Sequence, residues 1–502
     1  MTLQTEIDKI LDNHYDDITI KHYWEPKIIH FAKSGTHHFF GHEIGLIDTP
    51  IFQRLRYISQ LGLAYNVFPT ARHTRFEHSL GVTAMIGRMW SALSENGELD
   101  FLGSDKRDDL YKIRVAALLH DIGHGPFSHI SEIIMRELPD IKKANDELGC
   151  KPHEALGYHI VRSNLFGRLF DEIYRHYRVN LDQEDISNYI VGRSNNPEQQ
   201  FLADLLNGQF DADKLDYIVR DSYFSGLQVS VGIDRLLLTL GVDNVGSQGK
   251  DQKRLIVHQK GIQPLQDILM AKTLMTCNIY NHQKLRAIEH TLVPLLRRVI
   301  SAQVTVYDKT ITSPLDLVVI DDSDILNIYQ TQDEILKKVC KSLKLRQTMK
   351  RALLVSSSTV ENVQEPQVKF NFAQFLKYGE KIDSLNSSLR ETVGEGCTEF
   401  DVAIDLPKLT ELSEATHKFI KVFDDYHALC EYVNINLFQS YIINEWKGHI
   451  FATETYRKRA QVKGKEFLED NFHIKFNRMA EKGAKILPNS TEDIQYTLRD
   501  FM

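Results

Sequence analysis

The feature that most limits what this chain can become is the order of four ionisable residues: His78, the adjacent pair His120-Asp121, and Asp213, each beside an apolar stretch with helical spacing. In Leu118-Leu119-His120-Asp121-Ile122-Gly123-His124 an apolar helix carries the pair at its C-terminal end, and Gly123, Gly125 and Pro126 stop it. Imidazole and carboxylate together suit divalent iron, zinc, manganese or nickel. A site of nitrogen and oxygen ligands without thiolate leaves positions open for water and phosphate oxygens. An adjacent His-Asp is common, however, and taken alone is more often a helix cap or a surface feature. His78 closes Arg75-Phe76-Glu77-His78 ahead of an apolar-periodic helix through Val82, Met85 and Met89, and could supply a third ligand. Asp213 opens a segment whose helical spacing puts Asp213, Tyr217, Arg220 and Asp221 on one face and Leu215, Ile218 and Val219 on another. Such a polar stripe can line a cleft, but by itself it is usually a solvated face.

More titratable groups crowd the same stretch: His124, then His129 and Glu132 after Pro126, then His153-Glu154 after Pro152. One buried histidine is more often a hydrogen-bonded core residue than a catalyst, but this many imidazoles and carboxylates in one helical block favour proton transfer and phosphate handling. The net charge of -8 over 502 residues argues against coating nucleic acid or an anionic membrane as the main work, and leaves small anionic substrates open. Cys150, Cys277, Cys340, Cys397 and Cys430 form no CxxC pair, which suits reduced thiols and obliges any metal to find other ligands. The start is acidic and no run of about 18 apolar residues occurs, so the expectation is a cytoplasmic protein without a membrane span.

Residues 1–40 read as a lead-in with a β-like stretch at Lys27 to Phe31. Residues 41–300 read as mostly helical, as at Ile113 to Leu119 and Ile130 to Leu138. Beyond 300 the pattern is mixed, with β-like runs at Leu317 to Ile320 and Phe400 to Ile404 and a Ser/Asn/Gly-rich separator near 384–397. The last 50 residues alternate helix-like and basic segments. The expected fold is mainly α, with a smaller α+β C-terminal lobe over 301–502 serving oligomerisation or regulation.

With these residues placed, the chain resembles the HD-domain deoxynucleoside triphosphate triphosphohydrolases. The resemblance runs from Ile47-Asp48-Thr49-Pro50 and Phe52-Gln53-Arg54-Leu55-Arg56-Tyr57-Ile58, through Arg75-Phe76-Glu77-His78-Ser79-Leu80-Gly81 and His120-Asp121-Ile122-Gly123-His124-Gly125-Pro126-Phe127-Ser128-His129, to Asp213-Lys214-Leu215-Asp216-Tyr217. It covers roughly residues 45–290 and implies an HD-domain helical core. It also implies that His78, His120, Asp121 and Asp213 hold a divalent metal (Fe, Mn, Zn or Ni), with Mg accompanying the triphosphate. By the same resemblance His124, His129, His153 and Glu154 line the phosphate side, with His129 near the α-phosphate and His153 a candidate acid for the leaving 5′-oxygen. Arg75 and Lys214 match positions that grip the triphosphate; for each, the plain alternative is a surface charge. Tyr217 and Asp221 match residues around the sugar 3′-hydroxyl, and Gln60, Leu61 and Tyr280 match positions near sugar and base. The implied reaction converts a dNTP, dGTP among the substrates, to deoxynucleoside and tripolyphosphate.

Two positions on the substrate side depart from the family pattern. Glu132 stands where relatives carry an aspartate, adding one methylene, and Lys272 replaces an arginine that contacts the γ-phosphate, keeping charge but losing the bidentate fork. In several relatives an interface nucleotide drives assembly into an active tetramer. The matching residues here are Asp48, Gln53 and Arg56, which implies an allosteric nucleotide site and a homo-oligomer (dimer or tetramer), although His30 stands where an asparagine is expected. The acid-free basic run from Lys337 to Arg351 faces either a phosphate-bearing ligand or solvent. Two alternatives stand beside the preferred function: an HD phosphodiesterase or nuclease on cyclic nucleotide or single-stranded nucleic acid, which the acidic balance disfavours, and a non-catalytic nucleotide sensor. The setting is left between nucleotide-pool housekeeping and antiviral defence by starving a replicating virus.

Overall fold

The computed structural model describes residues 2–15, 18–33, 35–208, 210–245, 252–306, 309–328, 331–376, 382–408, 418–422, 425–428, 431 and 433–483. The described residues are predominantly helical and form four small sheets. The chain divides into two compact units, one of residues 1–275, 296–340 and 412–438, the other of 276–295, 341–411 and 439–502.

The first unit is built around the helix Arg75–Glu95. It starts where Thr74-Arg75-Phe76-Glu77 forms a capping box: the Thr74 amide donates to Glu77 Oε2 at 2.5 Å, and the carboxylate also accepts from the Thr74 hydroxyl at 3.0 Å. Its buried residues lie all round the axis, including Phe76, His78, Leu80, Val82, Met85 and Met89, as expected of a helix wrapped by others. Lys106–Leu119 and Ala212–Ser225 pack against it. The second of these comes close at Gly81, where an added Cβ would lie 2.1 Å from Asp216 Oδ1 and 2.2 Å from an Arg220 nitrogen. Ala212–Ser225 begins at Asp211, whose side chain accepts from the Lys214 amide, and ends at Gly226 with φ 77°. An ion pair fastens the unit's interior, with Arg114 donating to both oxygens of Glu43 at 2.6 and 2.9 Å and Glu43 wholly buried.

The second unit carries a three-stranded antiparallel sheet in the order Lys350–Val355, Gly448–Ala452, Val402–Asp405, with Ile450 opposite both Leu353 and Ile404. Phe375, Leu389 and Leu468 complete its core. The buried Asp405 carboxylate accepts from Arg286 at 2.7 Å and lies 3.0 Å from His290 Nε2 and 3.2 Å from His449 Nδ1.

The strands expected at Lys27–Phe31 and within Phe400–Ile404 are present, the latter as Val402–Asp405, and Ile113–Leu119 lies in a helix. Three expectations are corrected. Leu317–Ile320 is no strand: Pro314–Val319 is a 3-10 turn started by Ser313 and Pro314, and the Val-Val pair is buried through tertiary packing, not sheet pairing. The polar stretch near 384–397 is largely the helix Ile382–Val393, because Leu385, Leu389 and Val393 recur every four residues on its buried side. The helix expected to reach Leu138 ends at Met135, and Pro139 opens the next one. Of the last 50 residues, those after 483 lie outside the described set.

Burial sets one acid-sensitive element. His42 is almost fully buried, which pushes its pKa down to about 4 against the pull of Glu43. The folded state therefore binds fewer protons than the unfolded one between about pH 4 and about pH 6.5, and stability is lost as pH falls through that window. Replacing His42 with Phe should narrow the gap between thermal midpoints measured at about pH 7 and about pH 4.5 by a few degrees. An unchanged gap would show that His42 carries none of the acid loss.

Candidate metal centre and phosphate-side cluster

Three helical segments bring His78, His120, Asp121 and Asp213 together. Ligand atoms of His78, His120 and Asp121 all lie within 4.8 Å of one another. Asp213 Oδ1 lies 2.9 Å from His78 Nε2 and 3.9 Å from His120 Nε2, and Asp121 approaches the same two nitrogens at 3.7 and 3.3 Å. The far nitrogens of both rings are fixed: His78 Nδ1 sits 2.9 Å from Asp216 Oδ2, and His120 Nδ1–H donates to the Ala117 carbonyl at 2.7 Å. Arg220 in turn holds Asp216 through two 2.8 Å hydrogen bonds. Outer carboxylate and carbonyl partners of this kind set the ring orientation of metal-binding histidines.

The donor set fits a divalent cation. The Nε2 atoms of His78 and His120 are buried without a contact of hydrogen-bond geometry, so the short approach to Asp213 is a convergence of lone pairs on one point and not a bond between the two groups. Burial opposes a charge on His78, yet Asp213, Asp216 and Asp121 outweigh it and push its pKa up to about 10. Burial lowers the pKa of His120. Burial would raise Asp121, but Arg75, His120 and His124 hold its carboxyl well below the usual range. Two imidazoles and two carboxylates, with no thiolate, match the nitrogen and oxygen preference of Fe, Mn, Zn or Ni.

Asp121 joins this centre to a second cluster. His124 Nε2 lies 3.4 Å from Asp121 Oδ1, and the His124 ring stacks on His153 at 3.9 Å. Glu132 is the hub: one carboxylate oxygen lies 2.6 Å from His129 Nδ1, 2.8 Å from His153 Nδ1 and 3.8 Å from His124 Nδ1. Burial would raise the Glu132 carboxyl, but His153 and His129 hold it well below the usual range. Burial likewise opposes the His153 proton, which Glu132 nonetheless keeps in place by raising that pKa. His129 is the most open member and His153 is buried, so the cluster has a wet side and a dry side.

The turn that carries these rings is strained. Phe127 and Ser128 have φ of 59° and 54°, the left-handed region, costing about 1–3 kcal/mol each for residues with a Cβ. Arg54 pins the turn from below, donating to the carbonyls of Ile122 at 3.0 Å, His124 at 2.9 Å and Ile320 at 3.0 Å. Ser128 Oγ donates to the Ser59 carbonyl at 2.6 Å and accepts from Arg75 Nε at 3.0 Å.

Other expected residues take these places. Arg75 is buried and engaged, reaching Asp121 at 2.8 Å and His129 Nε2 at 3.3 Å. Lys214 donates to the Gly208 carbonyl at 2.8 Å and pairs with Asp211. Glu154 accepts from the Lys151 amide at 2.8 Å as a helix cap. Asp221 is not on a solvated face: it is buried 2.8 Å from His73 Nε2, and Asp216 and Arg220 beside it are buried too. Gln60 is buried, its backbone N–H donating to His73 O, while Leu61 and Tyr217 are half-buried. Lys272 lies on Ile262–Met275 of the first unit, and Tyr280 ends the π-helical turn Thr276–Tyr280 of the second. Asp48 accepts from the Tyr23 hydroxyl, Gln53 accepts from Arg56 Nε at 2.6 Å, and Arg56 stacks on Phe76 at 3.5 Å. Lys337 pairs with Glu334 at 2.7 Å, while Arg346, Lys350 and Arg351 of the same basic run line a cavity of about 470 Å³ with Glu454 and Arg457. Sequence reasoning assigned no role to Asp216, Arg220, His73 or Arg54. Asp216 carried a usable signal, one helical turn from Asp213 on the same helix, and Arg220 stood on the polar stripe of that helix; His73 and Arg54 carried none.

Two substitutions test the centre. Asp213→Ala should abolish stoichiometric binding of Mn or Fe to the purified protein, and Asp216→Asn should weaken it about 10–100-fold while leaving the ligands in place. Metal content by mass spectrometry reads both, and full metal retention by the first variant would exclude this centre.

Residues 75–217 match the HD domain family, and residues 246–478 match the HD-associated region. The deoxynucleoside triphosphate triphosphohydrolase SAMHD1 of Bos taurus is 33% identical over 261 residues, 47% of this chain and 41% of that protein. The human protein of the same name is 31% identical, covering 48% of this chain and 39% of its own length. An uncharacterized protein of Methanocaldococcus jannaschii is 33% identical over 246 residues, 49% of this chain and 43% of its own length. The chain thus spans about half, or less, of the length of these curated relatives. A crystal structure of a hypothetical protein from Aquifex aeolicus shares the fold, with a TM-score of 0.60 at 22% identity over 88% of this chain and 100% of that one. With the His…His-Asp…Asp set converging inside the matched segment, residues 75–217 carry an HD domain, and about half of the chain is homologous to the deoxynucleoside triphosphate triphosphohydrolases SAMHD1.

Proposed function

We propose that this protein hydrolyses deoxynucleoside triphosphates to deoxynucleoside and tripolyphosphate. The observation that carries the reading is the direct junction of the two clusters: Asp121 lies beside both His120 of the metal centre and His124 of the phosphate side. A metal held by His78, His120, Asp121 and Asp213 supplies Lewis-acid polarisation of a phosphate oxygen and a more acidic water. Water adds to the α-phosphorus, the bond to the 5′-oxygen breaks, and that oxygen must gain a proton as it leaves.

His153 suits the proton transfer, because Glu132 anchors its Nδ1 and keeps the ring charged to a higher pH than a free imidazole. His129, held through Nδ1 by the same carboxylate, stands on the open side where the α-phosphate enters. His124 and Glu154 complete that wall, while Arg75 and Lys214 contribute positive charge. In this reading the buried Asp221 and Gln60, with Tyr217 and Leu61, serve the nucleoside end, and Lys272 serves the γ-phosphate. The finer parts of the reading are dGTP among the substrates, control by a nucleotide at Asp48, Gln53 and Arg56, and assembly into a homo-oligomer.

Incubating the metal-loaded protein with each dNTP, alone and in pairs, should yield tripolyphosphate and deoxynucleoside in equal amounts by chromatography. Pyrophosphate or orthophosphate in place of tripolyphosphate would overturn the assignment. His153→Ala should lower kcat about 100-fold or more, and wild-type kcat should fall as pH rises above the ordinary imidazole value, where His153 gives up its proton.

A further inference from the structure

We propose that Asp322, contributed by the segment that follows the helical core, is a positioning residue for the phosphate-side histidines: its carboxylate latches the strained turn from which His124 and His129 project. Oδ1 accepts from the Phe127 amide at 2.6 Å and Oδ2 from the Ser59 amide at 3.0 Å. These two amides flank the turn's other fastening, the Ser128 hydroxyl, which donates to Ser59 O and accepts from Arg75. One carboxylate therefore closes a ring through Phe127, Ser128 and Ser59, with Arg75 and Asp121 next along the chain of bonds.

The neighbouring residue shows why this is more than helix capping. Asp321 does the capping of Asp322–Leu326, accepting from the amides of Ser323 at 2.8 Å and Asp324 at 3.0 Å. Asp322 turns away from its own helix and spends both oxygens on amides 195 and 263 residues distant in sequence. It is almost completely buried, and burial pushes its pKa up to about 6, although the two amides pull the other way. A buried carboxylate met by two backbone amides and the Ser59 side chain is a costly way to fill space, and an apolar side chain would pack there more cheaply. What a carboxylate offers that an apolar residue does not is a two-point acceptor holding Phe127 and Ser128 at φ values their side chains disfavour. Arg54 acts from the same side, tying Ile320 O to Ile122 O and His124 O, so the 320–322 segment grips the turn at both ends.

The role is positional, and it rests on the phosphate-side reading of His124 and His129. The test compares wild type, Asp322→Asn, Asp322→Ala and, as a capping control, Asp321→Asn. In both Asp322 variants kcat for tripolyphosphate release should fall about 10–100-fold, as expected for a small displacement of reacting groups, with KM within about three-fold and metal content unchanged. Asp321→Asn should stay within about two-fold of wild type. Hydrogen exchange should show protected Phe127 and Ser59 amides in wild type and faster exchange in both Asp322 variants. Undiminished kcat in the Asp322 variants, a loss that tracks loss of metal, or free exchange of the Phe127 and Ser59 amides in wild type would overturn the proposal. The last readout needs neither a variant nor turnover, so it judges the latch even if the wild type releases no tripolyphosphate, an outcome that would sink the functional reading alone.

Discussion

A buried imidazole with three carboxylates around it is the constraint on which the rest of this structure turns. His78 is completely buried, with Asp213 and Asp216 each 2.9 Å away and Asp121 at 3.7 Å. So much negative charge in a low-dielectric interior is tolerable only with compensating positive charge, and one imidazole does not balance three carboxylates. Arg220 and Arg75 neutralise the outer side of the group, at Asp216 and Asp121 respectively. The inner side, where Nε2 of His78 and His120 meet Asp213 and Asp121, is a place that a divalent cation fits. The packing around Gly81 follows from the same demand, since any larger residue would push Asp216 and Arg220 off the helix that carries His78.

Glu132 shows how one carboxylate can orient two imidazoles. The side chain is a methylene longer than aspartate, and its single oxygen Oε1 reaches both His129 and His153 at hydrogen-bonding distance. Two catalytic-type imidazoles are thus oriented by one buried carboxylate, which also fixes which ring nitrogen faces outward. The cost is strain in the turn before it, where Phe127 and Ser128 occupy the left-handed region, and Arg54, Ser59 and Arg75 bond that turn in place.

The second unit uses the same device for a different end. Asp405 is fully buried at the edge of a three-stranded sheet, engaged by Arg286, His290 and His449, which holds its carboxyl well below the usual range against the effect of burial. A paired charge of this kind fixes orientation where apolar contacts alone would allow sliding. Among the described residues no helix is long and apolar enough to cross a membrane.

The helices that carry or precede His78, His120-Asp121 and Asp213, and the crowding of ionisable groups along them, were legible from the chain alone, because helix boundaries, residue type and spacing are local properties that a linear reading registers. His120-Asp121 beside Gly123 and Pro126, and the run from Asp213 to Asp221, kept in the fold the local structure their sequence dictated. The polar stripe at Asp213–Asp221 was ambiguous for a physical reason: a solvated face and a buried ionic face have the same periodicity, and only packing against Arg75–Glu95 decided that Asp216, Arg220 and Asp221 are buried. Leu317–Val319 and the 382–393 helix were misread because a β-branched run and a serine-rich run each have two local solutions. What tertiary structure alone decided is which distant groups meet: Glu132 with His153, Arg54 with Ile320, Asp322 with Phe127. Hydrogen bonds between residues so far apart are set by how helices pack, and packing depends on the whole buried surface, not on any stretch of the chain that can be read by itself.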